Sequence, residues 1–139
     1  METARLFYET VHTVNAKDYS EHQLQAWAPV VPDPKAWNES FSEHYTLVAE
    51  QDGKIIGFGD IDETGYLDRL YVHRDYQGKG VAKAICDALE CHVSGKIVTV
   101  HASITARAFF ERRGYQVCIR QQVIRAGVQL TNFVMRKYP

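Results

Sequence analysis

The chain has 139 residues, 45% hydrophobic and 24% charged, and its 16 basic and 17 acidic side chains leave a net charge of −1. That length suits one domain, residues 1–139, with a core of its own. Near-neutrality removes any global pull toward nucleic acid or an acidic membrane surface, so neither is an expected partner. No apolar run approaches the ~20 residues a membrane helix needs, and no secretory leader pattern opens the chain. Cys86, Cys91 and Cys118 cannot all pair. Reduced, structural thiols in a cytoplasmic protein are the expectation.

The periodicity opens on a helix. Ala4, Leu6, Phe7, Val11 and Val14 form an apolar stripe from about Glu2 to Val14. Ser20 and Gln23 have capping-box spacing, so a second helix should run Glu21–Trp27, ended by Pro29 and Pro32. Asp33 can cap a third helix with Pro34 in its first position, running to about Phe41. Thr46–Glu50 and Lys54–Asp60 flank Asp52-Gly53, a hairpin signal. A further turn at Asp62–Gly65 returns the chain as Tyr66–Val72. After the Tyr76–Gly80 turn, Val81, Ala84, Ile85, Ala88 and Leu89 mark a helix ending near Ser94-Gly95. Lys96–Val100 reads as a short buried strand, and a helix beginning at Ser103 or Thr105 should close at Gly114. Tyr115–Ile124 and Val128–Met135 complete a hairpin. This order predicts an α+β (mixed α/β) fold, a mostly antiparallel sheet flanked by helices.

One stretch carries the chemistry. Leu70-Tyr71-Val72 closes a strand, Gln77-Gly78-Lys79-Gly80 turns, and Val81-Ala82 begins a helix. A helix starting on a glycine turn offers unpaired N–H groups at its positive end, which suits a phosphate or pyrophosphate. The triphosphate loop Gly-x4-Gly-Lys-Ser/Thr and the dinucleotide pattern Gly-x-Gly-x-x-Gly are both absent. Gln77-Gly78-Lys79-Gly80-Val81-Ala82 instead fits Gln/Arg-x-x-Gly-x-Gly/Ala, and with its strand and helix it resembles the acyl-CoA motif of the GNAT superfamily of N-acetyltransferases. Ala102–Tyr115, with Ser103, Phe109, Phe110 and Gly114, is similar to the superfamily's second signature. Gln25-Ala26-Trp27 and Thr131–Met135 look most like the YafP-like branch. The plain alternative for the turn is a strand-to-helix connection with incidental glycines.

The resemblance implies acetyl-CoA as cosubstrate, with a small-molecule or peptide amine as acceptor. Strand contacts would fall on Leu70, Tyr71 and Val72, and pyrophosphate contacts on Gln77, Gly78, Lys79, Gly80, Val81 and Ala82. Ser103 would meet the pantetheine arm or a water, and Phe109 and Phe110 would wall the thiol end, unless both are helix core. A backbone N–H near Tyr71 would polarise the thioester carbonyl. The chain departs from the family pattern twice. The tyrosine that often protonates the leaving thiolate is Phe110 here, leaving Tyr71 and Tyr115 as candidate donors. The usual first strand is not found ahead of the first helix: either the start lies upstream of Met1 or the sheet lacks that strand, and in the second case a sheet edge would need cover or a second copy of the chain.

An ammonium acceptor must lose protons before it attacks, so the reaction needs a base. Asp68 is the first candidate, since alternation would put it on one face with Leu70 and Tyr66, and Tyr66 could then meet the acceptor. A surface aspartate paired with Arg69, Arg74 or Lys79 is the competing reading. His101, beside the expected acetyl site, is a candidate proton relay or an ordinary histidine. The resemblance implies that the helical N-terminal part, Trp27 with it, roofs the acceptor pocket and could meet the substrate; a packing aromatic is the competing reading. The six histidines are scattered without ligand spacing, so no metal is expected. A non-catalytic acyl-CoA sensor remains the alternative to an enzyme.

Overall fold

A computed structural model describes residues 2–139; Met1, on which the reading of a missing first strand rests, lies outside them. The helices are α1 (Glu2–Thr13), α2 (Glu21–Trp27), α3 (Pro34–Glu39), α4 (Val81–His92) and α5 (Arg107–Arg112). The strands are β1 (Tyr45–Gln51), β2 (Lys54–Ile61), β3 (Tyr66–Val72), β4 (Val98–Ser103), β5 (Gln116–Arg125) and β6 (Val128–Lys137). They form one six-stranded sheet in the order β1-β2-β3-β4-β6-β5. Only the β3–β4 pair is parallel. No strand precedes α1 among the described residues, and β1 and β5 are the edges.

Local chemistry sets several boundaries. Ser20 Oγ accepts from the Gln23 amide at 3.1 Å while Gln23 Oε1 accepts from the Ser20 amide at 2.9 Å, the reciprocal box that starts α2. Asp33 accepts from the Ala36 amide at 3.0 Å, with Pro34 behind it, and starts α3. α3 stops at Glu39, short of Phe41, because the chain tightens: Phe41, Ser42 and His44 each donate to the residue three back. Asp52 and Gly53 both take positive φ (53° and 76°), as a two-residue hairpin requires.

Two expectations shift at the fourth strand. β4 begins at Val98 rather than Lys96, whose amide is drawn into a turn by the Val93 carbonyl. It runs on to Ser103 because β6 pairs that far, Ser103 opposite Asn132. α5 therefore begins only at Arg107, and His101 lies within the strand instead of beyond it.

The sheet is packed on both faces. Ile85 and Leu89 of α4 and Phe110 of α5 join Leu67, Val100 and Met135 in the larger cluster. Val11, Tyr19, Leu24 and Leu130 form the smaller one, with Phe7 and Tyr71 against it. Burying a side chain such as Leu89 contributes about 1.5–3 kcal/mol. α4 lies so close to β2 that a Cβ on Gly59 would stand 2.9 Å from Ile85 Cγ2, and one on Gly57 3.0 Å from Val81 Cγ1. That approach holds the start of α4 against the sheet beside the end of β3.

Candidate active site

The site is made by two strands that part. β3 and β4 pair only at Tyr66–Thr99 and Leu67–Val100. Gly65 anchors the junction: its carbonyl accepts from the Thr99 amide at 2.9 Å, and a Cβ there would stand 2.3 Å from the Ile97 carbonyl oxygen. Beyond it, β3 stays with β2 as far as Val72, and β4 stays with β6 as far as Ser103. A cleft of about 640 Å³ opens between them and runs past the glycine turn and the start of α4. Its volume lies in the ~300–1,000 Å³ range of cofactor-sized sites.

The wall along β3 offers directed backbone donors. His73 donates its amide to the Ile56 carbonyl at 2.8 Å, which makes that pair the hydrogen-bonded kind. Ladder alternation then turns Tyr71 toward β2 and leaves the amides of Leu70 and Val72 facing the cleft. The backbone donors near Tyr71 that face the cleft are thus those of its two neighbours. Gln77 Nε2 caps the Val72 carbonyl at 2.6 Å. The Gln77 side chain thus braces the turn onto the strand, leaving only its backbone for a ligand. Gly78 and Gly80 take φ of 70° and 84°, and a Cβ on either would meet nothing within 4 Å. Gly80 is the residue before α4, whose first-turn amides at Val81, Ala82 and Lys83 have no helical acceptor. Glycine backbone, free amides and open space make a donor set suited to a diphosphate.

The Lys79 ammonium lies 5.6 Å from the centre of the Tyr76 ring, and Tyr76 lines the cleft. Lys17, Lys83 and Arg112 line it directly. Nothing in their local sequence marked them, since three separate elements bring them together. Thr10 and Thr105 also line it, each with a buried hydroxyl that lacks a partner. Ser103 Oγ accepts from the Ala106 amide at 3.1 Å, so it caps a turn while lining the cleft. Phe109 is half-buried, whereas Phe110 is 1% exposed and packs edge-on against Phe109 and Tyr115. Both line the cleft, Phe110 chiefly as core.

Asp68 departs from the alternation expected of it. The register steps from Asp60–Arg69 to Ile61–Leu67, leaving Asp68 as the extra residue of a β-bulge. Leu67 and Leu70 both pack into the α4 cluster, so Asp68 no longer shares a face with Leu70. It projects beside Arg69 and His44, with Oδ2 3.8 Å from Arg69 Nη2 and 4.0 Å from His44 Nδ1. Burial, and then the Asp60 carboxylate, push its carboxyl above the ordinary value. Tyr66 stays near it, edge-on to His101 at 5.2 Å, and burial raises its phenol.

Asp60 is a functional candidate the sequence reading missed. It is fully buried and accepts from Arg69 Nε at 3.1 Å and Nη2 at 2.7 Å, with His44 Nδ1 at 2.6 Å. Arg69 is further held by Ser40 and stacked on Phe41 at 3.8 Å. The carboxylate follows a Gly57-Phe58-Gly59 run in a buried strand, the one local hint available. His44, Asp60 and Asp68 bring ligand atoms within 4.8 Å of one another, but the Arg69 guanidinium already supplies the positive charge there.

Tyr71 lines the cleft and packs edge-on to Phe7 at 5.0 Å, and burial raises its phenol strongly, so it keeps its proton at neutral pH. Tyr115 is committed elsewhere, donating to Glu90 Oε2 at 2.7 Å. Cys86 is buried, its thiol pushed up to about 12 by burial, and none of the three cysteines lines the cleft.

Splayed strands, a glycine turn and a helix start around one cleft define an acyl-CoA type of acetyltransferase fold, and residues 15–137 match the acetyltransferase (GNAT) domain. The chain belongs to the GNAT acetyltransferase family. It is 37% identical over 134 residues to YafP of Escherichia coli K12, an uncharacterized N-acetyltransferase, covering 96% of this chain and 86% of that protein. A GCN5-related N-acetyltransferase structure from Rhodopseudomonas palustris superposes with TM-score 0.92 at 36% identity, over 99% of this chain and 88% of that one. The PaiA N-acetyltransferase of Thermoplasma acidophilum, solved with coenzyme A, shares the fold at TM-score 0.74 and 20% identity, over 99% and 91%. The YafP-like resemblance drawn from the sequence thus holds.

Proposed function

We propose that residues 1–139 act as one cytoplasmic domain that moves the acetyl group of acetyl-CoA directly onto a primary amine in a ternary complex. The observation that carries this reading is the convergence on one cleft of the Leu70 and Val72 amides, the Gly78–Gly80 turn and the start of α4. In this mechanism the turn and the first amides of α4 hold the diphosphate, with Lys17, Lys83 and Arg112 adding charge. The amide of Leu70 donates to the thioester oxygen as negative charge gathers there. Asp68 collects the proton of the acceptor ammonium, directly or through water. The amine nitrogen bonds to the acetyl carbon, the C–S bond breaks, and the thiol leaves as thiolate, tolerable for a group of pKa about 8.5. The nitrogen's second proton goes to that thiolate, and Tyr71 and His101, which line the cleft, are the groups assigned to relay it. No cysteine lines the cleft, which supports transfer without an acyl-enzyme.

The test is release of CoA thiol in the presence of an amine panel, paired with calorimetry of acetyl-CoA. Binding with amine-dependent release is the expected result. Binding without release on any amine would favour the sensor reading, and no binding at all would defeat both.

A further inference from the structure

A second cavity of about 240 Å³ adjoins the cleft and shares Trp27, Asp68, Tyr71, His101 and Ser103 with it. Its remaining walls include Tyr19 and Tyr66 from one side and the β5–β6 hairpin from the other. Its charges are unequal in their freedom. Arg69 reaches it but is spent on Asp60 and Ser40. Arg125, at the hairpin tip, makes only a 3.4 Å bond to the carbonyl of its own neighbour Ile124, and no carboxylate among the described residues lies within 4 Å of it. Tyr66, Asp68 and Arg125 line this one cavity, which therefore carries an acid and a free cation. Asn132 adds a buried Oδ1 without a donor.

Resting on the transferase reading, we infer that the acceptor is a small primary amine that also carries a carboxylate. Its ammonium lies toward Asp68 and its carboxylate toward Arg125, with an apolar or aromatic body among Tyr19, Trp27 and Tyr66. A guanidinium pairs well with a planar carboxylate. The same cation at the mouth repels polyamines and other polycationic acceptors. The aromatic walls suit a ring better than a polar chain. The volume admits a molecule of amino-acid size and excludes a folded protein surface from all but its outermost residue. Transfer to this acceptor forms the amide N–C bond and breaks the thioester C–S bond; of the two protons the ammonium loses, one goes to Asp68 and the other to the departing thiolate, while the carboxylate takes no part.

The experiment compares matched amines with and without the carboxylate: 4-(aminomethyl)benzoate against benzylamine, and phenylalanine against phenethylamine. The expected result is a higher kcat/KM for at least one carboxylate-bearing member than for its partner. In Arg125→Ala that ratio should fall at least ~10-fold, through KM, and Arg125→Lys should restore part of it. Equal or better use of the plain amines, or equal effects of Arg125→Ala on both members, overturns the carboxylate assignment while leaving the transferase intact. Acetyl-CoA binding with no turnover on any amine overturns the transferase reading and this inference with it. Arg125 is exposed at a hairpin tip, so both variants should fold.

Discussion

Replacing Asp68 by asparagine tests the chemistry at its centre. The substitution keeps the shape of the bulge residue and removes only the carboxylate's capacity to take a proton. Asp68 is 36% exposed, and its nearest charged neighbours stand at 3.8 and 4.0 Å, beyond hydrogen-bond distance. Little structure hangs on it, so the stability change should stay within about 0.5 kcal/mol, as for surface positions. The sign is also defined. The folded state raises this carboxyl, so ionising Asp68 weakens the fold as pH climbs from its unfolded value through its folded one. Asp68→Asn removes that penalty, and above that window its melting temperature should equal or slightly exceed the parent's. Turnover should move the other way. A positioned general base contributes about 10²–10⁴-fold, so kcat should fall at least ~10-fold. CoA affinity, read by calorimetry, should hardly change, since the amides proposed to hold the diphosphate lie elsewhere. Thiol release over pH 5 to 9 completes the assay: the rising limb set by Asp68 should vanish in the variant. Undiminished turnover, or a loss matched by weaker CoA binding, would refute the assignment of Asp68 as base.

Further outcomes follow from the same geometry. Gly80→Ala puts a Cβ at φ 84° into open cleft; it should cost about 1–2 kcal/mol and weaken acetyl-CoA binding measurably in a titration. Gly59→Ala would press a Cβ to 2.9 Å from Ile85 and 3.0 Å from the Arg69 carbonyl, lowering stability in urea by about 1–3 kcal/mol. Glu90 is half-buried: burial alone would raise its carboxyl, but hydrogen bonds from Arg113, Tyr115 and Lys137 outweigh that and hold it below the ordinary range. Its stabilisation is complete above the unfolded value of about 4.3 and is lost as pH falls through the lower folded value. Glu90→Gln should therefore cost about 2 kcal/mol at pH 7, less than a fully buried pair, with the gap to the parent closing below pH 4 in acid unfolding curves.

Much of the fold was legible because it is written in short-range chemistry. The Ser20–Gln23 box, Asp33 with Pro34, and Asp52-Gly53 act within four residues of themselves, so their outcome does not wait on the rest of the chain. The glycine turn before α4 was readable for the same reason. Boundaries that depend on a distant partner were not. β4 extends to Ser103 because Asn132 lies opposite it, and α5 starts late in consequence.

By itself the sequence determined the order of helices and strands, the position of the glycine turn before α4 and the family to which the chain belongs. Tertiary structure alone decided how the candidate site is arranged. The bulge at Asp68 arises from the register between β2 and β3, and it turns a side chain that alternation would send elsewhere. Asp60, Arg69 and His44 converge from separate segments, as do Lys17, Lys83 and Arg112. The physical reason is range: caps and turns are satisfied by neighbours along the chain, whereas charge pairing and strand register are satisfied only across the folded molecule.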